Sequence, residues 1–369
     1  MHSPKNEAEL ATLIADAKAP FCIEGGGTRG CGGRGERLSL RGLSGIELYE
    51  PGSLTLVARA GTPMAEIRAL LASEGQRLAF EPMDARGLCG TVGEPTIGGV
   101  FATNSSGPRR IQGGAARDYL LGVRFVDGIG QSVKNGGRVM KNVTGYDLVK
   151  LMAGAYGTLG VMSEVSLKVL PTPEALATVS VEVPDLTQAV RAMSAALGSP
   201  YDVTGAAYDP VMSQVHIRLE GFAPSVSYRK ERLGAELAGF GEISSQEDSA
   251  VLWRGIRDVA GFHEREGDVW RISVKPSDAP ALAPLLEAEA LQFDWGGGLI
   301  WALTAPGRDL RARLAHAGVA GHATLVRAAP EVIATLDRFQ PQAAPLAAIS
   351  EGLRRRFDPR GLFNPGLMG

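Results

Sequence analysis

Three glycine-rich turns carry the chemistry most directly readable in this chain. The first is Gly25-Gly26-Gly27-Thr28-Arg29-Gly30. The second runs Gly93-Glu94-Pro95-Thr96-Ile97-Gly98-Gly99 and continues through Ala102-Thr103-Asn104-Ser105-Ser106-Gly107. The third is Gly154-Ala155-Tyr156-Gly157-Thr158-Leu159-Gly160-Val161. Glycine accepts positive φ and has no Cβ to hold a ligand off the main chain. Successive N–H groups in such a turn form a concavity suited to a pyrophosphate. The first turn follows the apolar strand Phe21-Cys22-Ile23, yet Gly30, Gly32, Gly33 and Gly35 prevent a helix from opening after it. That argues against a Rossmann fingerprint, which needs a helix at the third glycine. A P-loop is excluded as well, because no Gly-Lys-Ser/Thr closes the run. One such turn is equally a structural turn; three together point to a flavin dinucleotide.

Residues that could act on a substrate are fewer. His322 is a candidate general base whose ordinary pKa lies near working pH, or a structural residue at the start of a strand. Arg271 and Lys275 alternate along one predicted strand and could bind a carboxylate, or face solvent. Trp295 and Trp301 flank Gly296-Gly297-Gly298 and either wall a flavin pocket or fill a core. Lys141 sits beside the flavin or pairs on the surface, and Arg354-Arg355-Arg356 reads as a solvated helix face or a docking patch. No grouping of His, Asp and Glu suggests a metal site.

The elements that must position these residues belong to a chain of 369 residues, longer than a usual single core, so two domains are expected. Of 48 glycines, 29 precede Pro171, which places a compositional boundary there: 1–171 and 172–369. With 38 basic and 40 acidic residues interspersed, nucleic acid is not an expected partner. Cys22, Cys31 and Cys89 are too few and too dispersed for an iron–sulfur or zinc site. Neither a basic, then apolar leader nor an apolar run of about 20 residues is present, so the expected location is cytoplasmic.

Periodicity predicts a helix over 7–18, a strand over 20–24, a strand over 54–58, and a helix to Gly75 with Thr62 as N-cap and Pro63 at N1. A hairpin over 120–126 and 131–133 and a half-buried strand from Val161 to Val169 follow, and Pro171-Thr172-Pro173 should end the ladder. Beyond 176 the order is strand, helix (186–197), strands (201–208, 212–220), helix (226–238) and a short strand. After a helix over 248–260 it returns as strand (269–275), helix (278–288), strands (291–294, 298–304), helix (307–317) and strand (322–327). Two ferredoxin-like split β-α-β units would produce that repetition. The fold class is α+β with a ferredoxin-like second half.

Glu81-Pro82-Met83-Asp84, Thr96-Ile97-Gly98-Gly99, Asn104-Ser105-Ser106-Gly107, Arg117-Asp118, the run from Lys141 to Leu148 and Gly157-Thr158-Leu159-Gly160-Val161 resemble the vanillyl-alcohol-oxidase flavoproteins with a PCMH-type FAD domain. Within that group the resemblance is to FAD-binding subunits of bacterial glycolate oxidases. It extends through Trp270-Arg271-Ile272-Ser273-Val274, Gly321-His322-Ala323-Thr324-Leu325 and the ending Phe357 to Gly366. For the first half it implies an FAD-binding domain of two α/β subdomains, in which Gly25, Gly26, Gly27, Thr28, Arg29 and Gly30 cradle the FAD pyrophosphate. Pro82 and the segment with Thr96, Ile97, Gly98, Gly99, Ala102, Thr103, Asn104 and Gly107 would line the dinucleotide and flavin edge. Gly157, Thr158, Leu159, Gly160 and Val161 would hold the adenine or ring system, and Asp118 either contributes or caps a turn. Thr28 and Glu94 stand where relatives carry tethering histidine and cysteine, so the FAD is expected to be noncovalent. The His-x-Gly-Asp-Gly-Asn motif of related 2-hydroxy acid dehydrogenases is replaced by the segment from Gly321 to Leu325. The resemblance implies oxidation of glycolate or another short 2-hydroxy acid, in a hetero-oligomer with a paralogous catalytic flavin subunit and an iron–sulfur subunit that could bring it to the inner membrane surface. A non-catalytic flavin subunit and a stand-alone FAD oxidoreductase, such as an NADPH-fed reductase, are the alternatives.

Overall fold

The structure, a computed structural model, describes residues 1–30, 33–138, 145–245 and 249–368. Cys31 and Lys141 lie outside the described residues. In the first half the strands are β1 (Phe21–Glu24), β2 (Glu36–Ser39), β3 (Ile46–Glu50), β4 (Thr55–Arg59), β5 (Gln76–Arg77), β6 (Leu120–Val126), β7 (Ser132–Gly136), β8 (Val161–Lys168) and β9 (Leu170–Pro171). In the second half they are β10 (Ala175–Glu182), β11 (Gly205–Asp209), β12 (Gln214–Gly221), β13 (Ile243–Ser245), β14 (Asp268–Val274), β15 (Ala290–Asp294), β16 (Leu299–Thr304) and β17 (Gly321–Arg327). Helices and sheets are mixed throughout, as the α+β class requires.

β1 and β2 form a small parallel pair, and β3-β4-β8-β6-β7 form a five-stranded antiparallel sheet. β8 is that sheet's centre; Ser163 and Ser166 on it are buried, Ser163 where it donates to Glu7 of the helix Glu7–Ala15. Glu164 and Lys168 stay partly exposed, so the alternation of Val161 to Val169 marks a strand with one buried face and one only partly covered. Thr62 is not a helix cap. Its hydroxyl accepts from the N–H of Gly45 and donates to the carbonyl of Arg59 at 2.7 Å, while Pro63 takes the cap position of the helix Met64–Ser73. Pro171 does pair, opposite Gln76 in the two-residue β5–β9 ladder, because a proline at a strand end needs to donate nothing.

The second half has strand order β13-β10-β12-β11-β15-β16-β14-β17. Each group of four is a ferredoxin-like unit, and they join edge to edge where Tyr208 meets Phe293. The predicted helix over 278–288 is instead a broken run, Ala279–Leu282 between 3₁₀ turns, since Pro280 and Pro284 remove two helical donors. Period two divides the strands between two faces. Ile217, Leu219, Trp270, Ile272, Ile300 and Ala302 enter the core with the helices Leu186–Gly198 and Ala223–Leu237. Val269, Leu299, Trp301 and Leu303 face the other way and pack on Met83, Ala85 and Leu88 of the first half. The sheet is thus covered by its own helices on one side and by the FAD half on the other. After the helix Ala344–Phe357 the chain returns to its start, where Phe363 pairs with Phe21 and Leu362 and Phe363 share a core with Leu10, Ile14 and Leu38.

Candidate functional site

The first two glycine turns are wedged against each other. A Cβ on Gly26 would lie 1.5 Å from the carbonyl oxygen of Glu94, and one on Gly25 would lie 2.3 Å from Oγ1 of Thr96. Only glycine permits that approach. Gly27 and Gly30 take φ of +69° and +57°, turning the loop outward, and Arg41 holds it by donating to the carbonyl of Gly26 at 2.7 Å. Among the described residues, the N–H groups of Gly26, Gly27, Thr28, Arg29 and Gly30 donate to no acceptor of the protein. These residues line an open cleft whose empty space, its mouth included, is about 1060 Å³.

Gly25, Gly26, Gly27, Thr28, Arg29, Gly30, Thr96, Gly98, Gly99, Ala102, Thr103, Gly157, Gly160 and Val161 all line this cavity. Ile97 and Leu159 lie instead in the core behind it. Thr158 is buried, its hydroxyl spent on the carbonyl of Ala155 at 2.7 Å. Asn104 and Gly107 line the neighbouring cavity described below. Pro82 lines neither; its carbonyl faces Arg68 at 3.5 Å. Asp118 caps the short turn Ala116–Tyr119, its Oδ2 accepting from the N–H of Ala115 at 2.8 Å.

Asn364 is one of several lining residues, with Leu40, Met162 and Leu367, for which sequence reasoning gave no site role. Its side chain ties the β1 backbone to the third turn, whose Tyr156 sits at φ +52° and has its ring edge-on to Phe339 at 4.8 Å. The only sequence signal for it was its place in the shared ending.

A second cavity, of about 1160 Å³, adjoins the first through the shared residues Arg29, Met83, Thr103 and Tyr156. Its far wall is the second face of the eight-stranded sheet: Arg271, Asp294, Trp295, Leu299, Trp301 and Thr324. Trp295 donates its indole N–H to the carbonyl of Gly107 at 3.1 Å, and the guanidinium groups of Arg110 and Arg271 stand over its ring at 4.4 and 4.9 Å. Trp295 and Trp301 thus serve as buried packing and as cavity wall at once. Neither guanidinium has an ion pair or a hydrogen-bond acceptor among the described residues. Burial, together with the cations Arg110 and Arg29, brings the Arg271 pKa down to about 10.

The three proposed catalytic residues do not meet. His322 lies opposite Ser273 and on the Arg271 face, but it is exposed on edge strand β17 and outside the cavity. Partial burial of the ring, then Arg271 and Arg311, lower its pKa. Lys275 follows the end of β14 and is exposed. Arg110 and Asp294, which sequence reasoning missed, do line the cavity. Among the described residues no group of three His, Cys, Asp or Glu could hold a metal ion, and no helix is long and apolar enough to cross a membrane.

The cleft fits a flavin dinucleotide by the glycine cradle and its open N–H groups, and the fold and site together define an FAD-linked oxidoreductase. A family model described as an FAD binding domain matches residues 2–136. The chain is 38% identical over 364 residues to glycolate oxidase subunit GlcE of Escherichia coli (strain K12), covering 98% of this chain and 95% of that protein. It belongs to that family of glycolate oxidase FAD-binding subunits. Glycolate oxidase subunit GlcD of Bacillus subtilis (strain 168) is 31% identical over 180 residues, 47% of this chain and 37% of that one. Among solved structures, alkyldihydroxyacetonephosphate synthase superposes with a TM-score of 0.69 at 17% identity, covering 98% of this chain and 76% of that one, which establishes likeness of fold.

Proposed function

We propose that this chain is the FAD-carrying subunit of a glycolate oxidase-like complex that oxidises glycolate, or a related short 2-hydroxy acid, to the 2-oxo acid. FAD, held noncovalently, would supply a two-electron acceptor, and an iron–sulfur partner would receive the electrons. Residues 1–171 form the FAD-binding unit and 172–369 the substrate or partner side. The observation that carries this reading is the pair of joined cavities. One is lined by the glycine turn whose N–H groups meet no acceptor, while the other presents two guanidinium groups that form no ion pair among the described residues. Gly25 to Gly30 hold the pyrophosphate, Thr103 and Tyr156 stand where the cavities meet, and Arg271 and Arg110 take the substrate carboxylate through charge-assisted hydrogen bonds. Trp301 and Leu299 exclude water from that end.

The exposed position of His322 favours a second reading, in which a paralogous subunit performs the oxidation and this chain relays electrons or supports assembly. The anaerobic absorption spectrum of the FAD-loaded chain, before and after glycolate, separates the two. Bleaching by the chain alone supports the first reading. Bands that persist until partner subunits are added, and then bleach equally with Arg271→Gln, establish the second. Persistence with every short 2-hydroxy acid, partners included, overturns both.

A further inference from the structure

Asp294 ends β15 and is 3% exposed, yet it lines the second cavity. One carboxylate oxygen, Oδ1, accepts the backbone N–H of Trp295 at 2.7 Å. Among the described residues Asp294 accepts no other hydrogen bond and forms no ion pair. Unpaired buried carboxylates are costly, and a fold retains one where its proton is useful. The charged groups around it are Arg218, Glu81 and Arg271. Arg218 and Glu81 are already committed to each other in a two-pronged pair at 2.8 and 2.9 Å, so they largely cancel. Arg271 is the one uncommitted cation of the three.

Resting on the proposed function, we infer that Asp294 is the proton acceptor for a 2-hydroxy acid whose carboxylate is seated on Arg271 and Arg110. The substrate O–H bond breaks and its proton passes to the Asp294 carboxylate. The α C–H hydrogen leaves with its electron pair to the flavin, and the C–O bond becomes a carbonyl. Burial raises the Asp294 pKa to about 7, against the pull of the Trp295 N–H and Arg218. A base poised there is ionised at slightly alkaline pH and still basic enough to take the proton. The lost metal motif is thereby replaced by one carboxylate on a different strand from His322.

The test uses the FAD-loaded full chain in complex with its partner subunits. Two readouts are compared in the wild type, Asp294→Asn, Asp294→Glu and Arg271→Gln. The first is binding of oxalate, followed by perturbation of the flavin spectrum and by calorimetry in two buffers that count protons taken up. The second is the rate of flavin reduction by glycolate across pH 5.5 to 9. Asp294→Asn should keep oxalate binding, lose the proton uptake near neutral pH, and slow reduction by about 100-fold or more. Its rate should also lose the rise with pH centred near 7, which Asp294→Glu should restore at a shifted position. Reduction of Asp294→Asn at the wild-type rate, or with the same rise with pH, overturns the inference and leaves the proposed function standing. Wild-type flavin that glycolate, lactate and 2-hydroxyglutarate all fail to reduce, with oxalate unbound, overturns the proposed function and the inference together.

Discussion

Ile23 and Asn364 are 341 positions apart, and the N–H of Ile23 donates to Oδ1 of Asn364 at 2.7 Å. The Asn364 amide donates in turn to the carbonyl of Tyr156 at 2.8 Å, so one side chain near the C-terminal end clamps the first and third glycine turns together. Its backbone sits at φ +44°, a conformation asparagine tolerates better than most residues. Replacing Asn364 by Gly would keep the backbone and remove both bonds. We expect a stability loss of about 1–3 kcal/mol from the unpaired buried groups, with weaker FAD retention. Thermal denaturation and flavin content after gel filtration check this; unchanged flavin content would show that the clamp does not shape the cleft.

A second link between the halves is charged. Glu220 of β12 receives Arg77 at 2.6 Å and also pairs with Arg109, both from the first half, and is 8% exposed. Burial pushes its pKa up, but Arg218, Arg109 and Arg77 prevail and hold it down to about 2. A carboxyl depressed on folding stabilises above its unfolded pKa, near 4.5, and loses that contribution as pH falls toward 2. A shift of this size corresponds to about 3 kcal/mol. Glu220→Gln should therefore be destabilised by about 3–5 kcal/mol at pH 7, because it strands buried cations. Urea unfolding at pH 7 and pH 3.5 should show the gap between variant and wild type narrowing on acidification.

The order of elements was legible because period-two and period-3.6 patterns survive in this chain, and the two ferredoxin-like repeats followed from them. What those patterns could not supply was coverage. β8 reads as alternating, yet Ser163 is buried where it donates to Glu7 of the helix Glu7–Ala15, a contact set by tertiary packing and not by local sequence. The glycine turns were legible since glycine marks close approach by its type alone. Arg271 was legible as a cation on a strand, but its cavity partners Arg110 and Asp294 come from segments 161 residues before it and 23 after it. No spacing rule joins them. Ile97, Thr158 and Leu159 show the converse error of contiguity: they belong to glycine-rich segments, but alternate residues of a turn point into the core.

The wedge between the first two turns predicts a graded effect of added methyl groups. Gly26→Ala drives a Cβ into the carbonyl of Glu94 at 1.5 Å and must separate the loops. Gly30→Ala meets no atom within 4 Å and carries only the cost of φ +57°, about 1–2 kcal/mol. Gly26→Ala should lose most bound FAD on dialysis while Gly30→Ala retains it. Flavin absorbance per mole of chain is the measurement, and equal loss in both would place the determinant in loop conformation instead of loop contact.

The three charged candidates of the second half should separate by position. Arg271 is in the cavity, stacked on Trp295 and with no ion pair among the described residues; Lys275 and His322 are exposed and outside it. A charge-assisted bond to a carboxylate contributes about 1.5–3 kcal/mol, or about 10- to 150-fold in affinity. Arg271→Gln should weaken oxalate binding by that factor, and Lys275→Ala and His322→Ala by less than about twofold. The Arg271 pKa of about 10 gives the sign of its own pH effect: the guanidinium is charged below it, so in Asp294→Asn, where proton uptake by the neighbouring carboxylate no longer couples to binding, anion affinity should hold through pH 8 and fall as pH rises through 10. Spectral titration of the bound flavin with oxalate at pH 8 and pH 10.5 reads both effects. A large loss in His322→Ala would instead require the edge strand β17 to close over the cavity when substrate binds, and proton uptake measured in that variant would then differ from the wild type.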